Sequence, residues 1–386
     1  MRHVSEAVSP KSSHDMKMQP HKMRLMLFPE LRRARSLMNP RVGVCIVLAC
    51  TIAAAVAAGC NKSSNVSPTP SPTPTPTGPD TLYVQDGGSK TIRVYKHASG
   101  LNGVAVATAT LPTSDVSNPD VVYNPAFDVL WYPSAYPNPS LGPPASTPIR
   151  VWDAASTKNG ANPDQLVPYT NGEGTATYDS VHDFLYVANI NGPTIQVYSS
   201  AHLMTSASVP AANVTLTITD GGCGCTPRPQ EMLYDPVNDR LFVSDLGTVV
   251  AVFDSFGASA LGGGTRAANR QILGLNSPDG LAYSPGNDVL YVGEISRKQI
   301  DVIHNASTAN GPNGHAQLIN GFQSGPTGMA YDGPRDLLYV YDPLQIWVIP
   351  APAAASGNVN SIVNRHQFFD SATTLVGFGL SVDTTH

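Results

Sequence analysis

Between residues 82 and 340 the apolar positions of this chain repeat one phrase. Leucine, an aromatic residue and a β-branched or aromatic residue stand together six times, as Leu82-Tyr83-Val84, Leu130-Trp131-Tyr132, Leu185-Tyr186-Val187, Leu241-Phe242-Val243, Leu290-Tyr291-Val292 and Leu338-Tyr339-Val340. The spacings are 48, 55, 56, 49 and 48 residues. An alternating beat follows each phrase, Ile92-x-Val94, Ile149-x-Val151, Ile195-x-Val197, Val250-x-Val252, Ile300-x-Val302 and Ile346-x-Val348. Short alternating runs of such residues read as strands. A weaker apolar run closes the unit, as at 214–218, 271–273 and 367–369, and a tyrosine seven residues before five of the leucines (Tyr123, Tyr178, Tyr234, Tyr283, Tyr331) marks a strand that opens it. Four short strands recurring about every fifty residues predict an all-β, six-bladed propeller, because one such blade cannot bury both faces alone and must stack around an axis.

The first unit has no opening strand of its own, since Asp80 follows a proline-rich stretch directly. The end of the chain supplies one: Gly379-Leu380-Ser381-Val382-Asp383 matches the opening segments that begin at Gly280 and Gly328. The C-terminal strand is therefore expected to pair inside the first blade and close the ring, which removes exposed sheet edges. Two residues before every repeated leucine stands an aspartate: Asp80, Asp128, Asp183, Asp239, Asp288 and Asp336. Asp side chains bond nearby backbone amides in turns, so all six are expected to be structural. Small residues, Gly280 with Ala282 and Gly328 with Ala330, suit a crowded innermost strand.

The propeller accounts for residues 80–386. Residues 63–79 are rich in Ser, Thr and Pro, with Pro at every second position from Pro68 to Pro76, and read as an extended stalk. Residues 42–58 form an apolar run preceded by Arg32, Arg33, Arg35 and Arg41 and followed by Gly59-Cys60. That is the plan of a signal peptide. Its end, Ala57-Ala58-Gly59-Cys60, resembles the bacterial lipobox, which implies a lipid on Cys60, and Asn61 after it leans toward the outer membrane. An uncleaved membrane anchor is the other reading of the run, and either tethers the body outside the cytoplasm. Residues 1–37 are long and polar for a secretory leader, so Met38 is the expected start. The three regions are thus 1–59, 60–79 and 80–386.

Residues 278–302, with Pro278-Asp279-Gly280-Leu281-Ala282-Tyr283, Leu290-Tyr291-Val292-Gly293-Glu294 and Ile300-Asp301-Val302, resemble the NHL repeat and the related YVTN-type surface repeats. Residues 326–348 repeat the match. The Ala306-Ser307 and Asn310-Gly311 segments are similar to those of bacterial surface lipoproteins with NHL-like repeats. The resemblance implies the fold; propellers of this kind host hydrolases, dehydrogenases and binding modules alike.

Charge narrows the partners. From Cys60 onward there are fourteen Lys and Arg against twenty-five Asp and Glu, a net charge of −11. Nucleic-acid binding rests on basic residues that neutralise phosphates, and this body has no such stripe. Loops entering first strands and loops between second and third strands share the face around the channel mouth. Asp86, Asp120, Glu173, Asp245, Asp279, Glu294 and Asp342 fall on that face. Oxygen-rich clusters suit a hard cation such as Ca²⁺. Asp86, Asp245, Glu294 and Asp342 follow the repeated phrase by two residues, which fits turn capping equally well. A six-bladed hydrolase of the gluconolactonase type would need a Glu, an Asn and an Asp on a divalent metal, and Glu173, Asn189 and Asp279 are of those types. No catalytic motif accompanies them, and no histidine is poised at the mouth. Cys223 and Cys225 are the thiols left in an oxidising compartment, where a local disulfide is expected. The Pro-rich insertion 134–148 carries Tyr136, a candidate binding lip.

The sequence therefore predicts a monomeric, non-enzymatic binding propeller, lipid-anchored at the cell envelope, whose mouth face meets an envelope protein, a glycan or a small ligand. The alternative is a metal-dependent lactonase acting in the channel.

Overall fold

The computed structural model describes residues 80–385 except 114–119, 135–146, 170–173, 206–211, 220–226, 246, 313–316, 344 and 371–378. The signal run, Cys60 and the stalk lie outside the described residues. The described chain forms six antiparallel sheets of the predicted kind. In blade 3, for example, Gly174–Asp179, Phe184–Asn189, Thr194–Ser199 and Val214–Thr219 pair in chain order from the axis outward. Innermost strands of successive blades pack side by side around the ring. Every residue of the six repeated phrases is buried. That is why these second strands read as continuous apolar runs: each is covered on both faces by neighbouring blades. Among the described residues, no helix is long and apolar enough to cross a membrane.

Blade 1 closes as expected. Leu380–Asp383 pairs antiparallel with Thr81–Asp86, with Leu82 opposite Val382 and Val84 opposite Leu380. Side chains then tie this blade to both neighbours. Tyr339 Oη of blade 6 donates to Asp80 at 2.9 Å, Arg93 bonds Asp370 of blade 6 at 2.9 Å, and Ser381 Oγ accepts from the Tyr123 amide of blade 2 at 3.2 Å.

The recurring aspartates are turn residues with a larger reach than a turn. Asp128, Asp183, Asp239, Asp288 and Asp336 all have positive φ, between 50° and 57°, a region Asp tolerates better than most residues. The repeated tyrosine donates to the aspartate five residues on in every case, Tyr123, Tyr178, Tyr234, Tyr283 and Tyr331, at 2.8–3.0 Å. The carboxylates of Asp128, Asp183, Asp239 and Asp288 also cap the short turn after the third strand: Asp288 accepts from Ser307 N at 2.8 Å and Ser307 Oγ at 2.6 Å, and Asp128 accepts likewise from Ser156. Their backbone carbonyls accept from that turn as well, as Asp288 O does from Ala306 N at 3.1 Å.

A fifth strand appears that the apolar pattern does not announce. The connection between third and fourth strands crosses to the preceding blade and pairs in parallel with its outer strand. Gly264–Ala267 of blade 4 joins blade 3, Gly311–Pro312 joins blade 4, Gly357–Asn358 joins blade 5, and Gly103–Ala105 of blade 1 joins blade 6. These segments are short and largely solvent-facing, so they carry no hydrophobic signature. They belt the ring from outside.

Asp288→Ala removes an acceptor of three bonds and places a residue less suited to positive φ in the turn. We expect a loss of about 2–3 kcal/mol in urea unfolding, whereas Asp153→Ala, on an exposed carboxylate, changes stability by less than about 0.5 kcal/mol. Equal effects would show that the aspartate ladder does not hold the blades.

Candidate functional site

The channel mouth is built where first strands begin. Its outer rim is occupied by the four acids that follow the repeated phrase, and each has local partners. Asp86 accepts from Gly88 N, Ser89 N and Oγ, and Arg93 Nε at 2.6–3.3 Å. Burial works against its charge, but the bonds from Ser89 and Arg93 prevail and hold its pKa below the usual range. Asp245 accepts from Gly247 N and Val249 N at 2.9 and 3.3 Å. Glu294 binds Asn276 N, Arg297 and Gln299, and Asp342 binds Gln323 N, Ser324 N, Gln345 and Trp347. Turn capping, one of the two roles the repeat allows, describes all four.

Inside this rim the arrangement is different. Asp120 precedes the first strand of blade 2, Val122–Asn124; Glu231 lies in that of blade 4, Pro229–Asp235; Asp279 lies in that of blade 5, Pro278–Ser284. The strands of blades 4 and 5 carry β-bulges between Pro229 and Met232 and between Pro278 and Leu281, and the acids sit in those bulges. A bulge inserts a residue and re-aims its side chain, which lets an acid break the phase of the repeat.

Hydroxyls bridge the three blades. Thr175 Oγ1 of blade 3 donates to Asp120 Oδ2 and accepts from Met232 N at 3.2 Å. Ser244 Oγ donates to the Asp279 carbonyl at 2.8 Å and accepts from Glu231 N at 3.1 Å. Asp120 also accepts from Ala176 N at 3.0 Å. The Asp279 carboxylate, 9% exposed, receives no hydrogen bond from a described group.

Burial raises all three pKa values. Asp120 rises to about 7 despite the Thr175 and Ala176 bonds, and Asp279 to about 8 through burial and then the charge of Asp120. Glu231 rises well above the carboxylate range through burial, then Asp120, then Asp279, opposed only by the Leu281 N–H. No described Lys, Arg or His acts on any of them. Asp120 and Glu231 keep some surface open to the channel while protein encloses them on the other sides. The mouth can thus hold protons near neutral pH or accept donors from a ligand.

Of the residues singled out from sequence, Asp120 and Asp279 meet here. Asn189 instead caps its own hairpin, accepting from Asn191 N at 2.9 Å. Glu173, Tyr136, Cys223, Cys225 and Cys60 lie outside the described residues. Among the described residues no three His, Cys, Asp or Glu side chains are grouped to hold a metal ion. Glu231 is the residue the sequence reading passed over. Its signal is an acid three residues before the repeated tyrosine, the same offset that Asp120 has from Tyr123. A second concavity of about 640 Å³ lies at the outer edge of blade 4, lined by Phe253, Phe256, Ser259, Arg266 and Asn269. Its arginine is bonded to Ser259 Oγ and the Ser259 carbonyl.

No family model and no curated protein sequence matches the chain. Solved structures do: a chain from the crystal structure of a nidogen/laminin complex superposes with a TM-score of 0.53 over 80% of this chain and 100% of its own length, at 13% identity. That likeness shows the propeller fold.

A carboxyl whose pKa rises on folding binds its proton more tightly when folded. The advantage is complete below the unfolded value of 3.8 and is lost as pH climbs through about 7 for Asp120 and about 8 for Asp279. The melting temperature of the wild-type protein is therefore expected to fall between about pH 5 and 8.5. Asp279→Asn should flatten part of that slope and melt above wild type at the upper pH. Parallel curves for the two proteins would count against a buried, uncompensated Asp279.

Proposed function

We propose that this chain is a non-enzymatic binding propeller, held at the cell envelope by a lipid on Cys60, which receives its ligand at the channel mouth around Asp120, Glu231 and Asp279. The observation that carries the reading is the placement at the mouth of three acids from three blades, Asp279 buried and Asp120 and Glu231 half-buried, with no described basic side chain acting on them. Uncompensated burial of ionisable groups costs stability, and clusters of that kind concentrate where a protein binds or reacts. The remainder of the ring supplies its acids with partners, so a structural need does not account for these three. The polypeptide enters the ring at Asp80, on the face of the first-to-second turns, opposite the mouth.

The test is a saturation-transfer NMR screen of small amines, sugars and carboxylates against the wild-type protein and a D120N/E231Q/D279N variant. Binding that disappears in the variant supports the reading; binding indifferent to the variant, or no binding by any class, overturns it. The same proteins incubated with γ- and δ-lactones and added Ca²⁺ or Mn²⁺ address the hydrolase alternative. Acids titrating near neutrality are suited to proton transfer, which is what favours that alternative at all. Turnover that Asp279→Asn abolishes would replace binding with catalysis as the function; we expect none.

Anchoring has its own readout. Cys60→Ala is expected to move the protein from the membrane fraction to the soluble extracytoplasmic fraction, and an unchanged membrane association would remove the lipid from the account.

A further inference from the structure

We infer that the group received at the mouth is a primary ammonium, from a free alkylamine or a lysine side chain. The inference rests on the mouth being the binding site and names the chemistry that fits it. Asp279 is the first reason: the residue is nine-tenths buried, its carboxylate receives no hydrogen bond from a described group, and the charges it shares the mouth with are those of Asp120 and Glu231. One blade on, at the matching position four residues before the repeated tyrosine, Thr327 is 6% exposed and its Oγ1 has no partner. Two polar side chains on adjacent blades thus lack partners among the described residues.

The missing partner must be mainly a donor. Both bonds from described groups to the Asp120 carboxylate fall on Oδ2, the Glu231 carboxylate receives one backbone N–H, and the Asp279 carboxylate receives none. An ammonium offers three donors and no acceptor, and its charge-assisted bonds to carboxylates run at about 2.7–2.9 Å. A sugar would bring acceptors along with its donors and would usually rest on an aromatic face. Among the described residues the exposed aromatic rings are Phe127, on the opposite face, and Phe369, on an outer strand. Calcium needs six to eight oxygens at about 2.3–2.6 Å, more than the carboxyls of Asp120, Glu231 and Asp279 supply with Asp120 Oδ2 engaged by Thr175 and Ala176. The protons that Asp120 and Asp279 retain near neutral pH also leave the mouth with less charge than a divalent ion would call for. A monocation is matched by that reduced charge.

Isothermal titration of the intact, folded protein provides the test, with n-butylammonium chloride, Nα-acetyl-lysine methylamide, CaCl₂ and methyl glucoside as separate probes. Each is run in two buffers of different ionisation enthalpy. The expected result is binding of both amines with release of protons, weakened about tenfold by each of D120N, E231Q and D279N, and unaffected by Asp153→Asn. Binding of the lysine amide but not the alkylamine identifies a protein side chain as the source; the reverse identifies a free amine. Failure of both amines, with calcium or the glucoside binding in a way these substitutions abolish, overturns the ammonium and keeps the mouth. If no probe senses the three substitutions in proteins that melt cooperatively, the binding reading fails together with the inference.

Discussion

A single carboxylate in each blade joins segments of chain that would otherwise drift in register. In blade 5, Asp288 holds a turn with φ of 50°, takes the hydroxyl proton of Tyr283 from the first strand, and caps Ser307 beyond the third. Three strands are thereby indexed to one residue. Strand register matters because a slip of one position turns every buried side chain outward. In this ring, where both faces of each second strand are covered, such a slip would exchange the side chains packed against the two adjoining blades and spoil both interfaces. Blade 1 shows how far the constraint extends: with no tyrosine in its C-terminal opening strand, its Asp80 takes a hydroxyl from Tyr339 of blade 6 and still caps Ser99. The residue that indexes a blade elsewhere here helps to seal the ring.

The mouth inverts this use of acids. Asp86, Asp245, Glu294 and Asp342 are charged groups made tolerable by amides, hydroxyls or guanidinium groups placed for them. A few residues inward, Asp279 is buried and Asp120 and Glu231 are half-buried, with few donors between them. Removing a charge from water without a partner raises its pKa until it prefers to be neutral, and that is the direction all three take. The same residue type thus stabilises the ring at its rim and costs stability at its centre. The difference lies in donors, which the repeat supplies at one level and withholds at the other.

The repeated phrase, the six aspartates and the closing strand were legible in the sequence because they obey a period, and burial makes that period visible as hydrophobic spacing. Asp120 and Asp279 could be placed at the mouth for the same reason. Glu231 carries the same mark as Asp120, an acid three residues before the repeated tyrosine, but it was passed over because it lies within its strand and not in the loop that enters it. The parallel fifth strands were invisible for a different cause. Gly357–Asn358 and Gly311–Pro312 bury little and are set in place by hydrogen bonds to the neighbouring blade, which leave no mark on hydropathy. Asn189 had the right chemistry for a ligand and the wrong neighbourhood, because an Asn two residues from a hairpin amide finds its partner locally.

Repetition itself helps to separate scaffold from site. A residue that recurs at the same place in six blades is answering a demand that every blade makes, and folding makes such demands. An acid at the head of the first strand in blades 2, 4 and 5 answers none of them, since blade 6 carries Thr327 and Gly328 at that level and still forms its strand. The bulges that position Glu231 and Asp279 shift the strand register where the matching strands of blades 3 and 6 pair without a shift. Departures of sequence and of geometry therefore coincide, at one height on the axis, on blades whose backbones are already joined by Thr175 and Ser244. Packing accounts for the blades, while the scarcity of local donors at their shared opening is the feature that calls for a ligand.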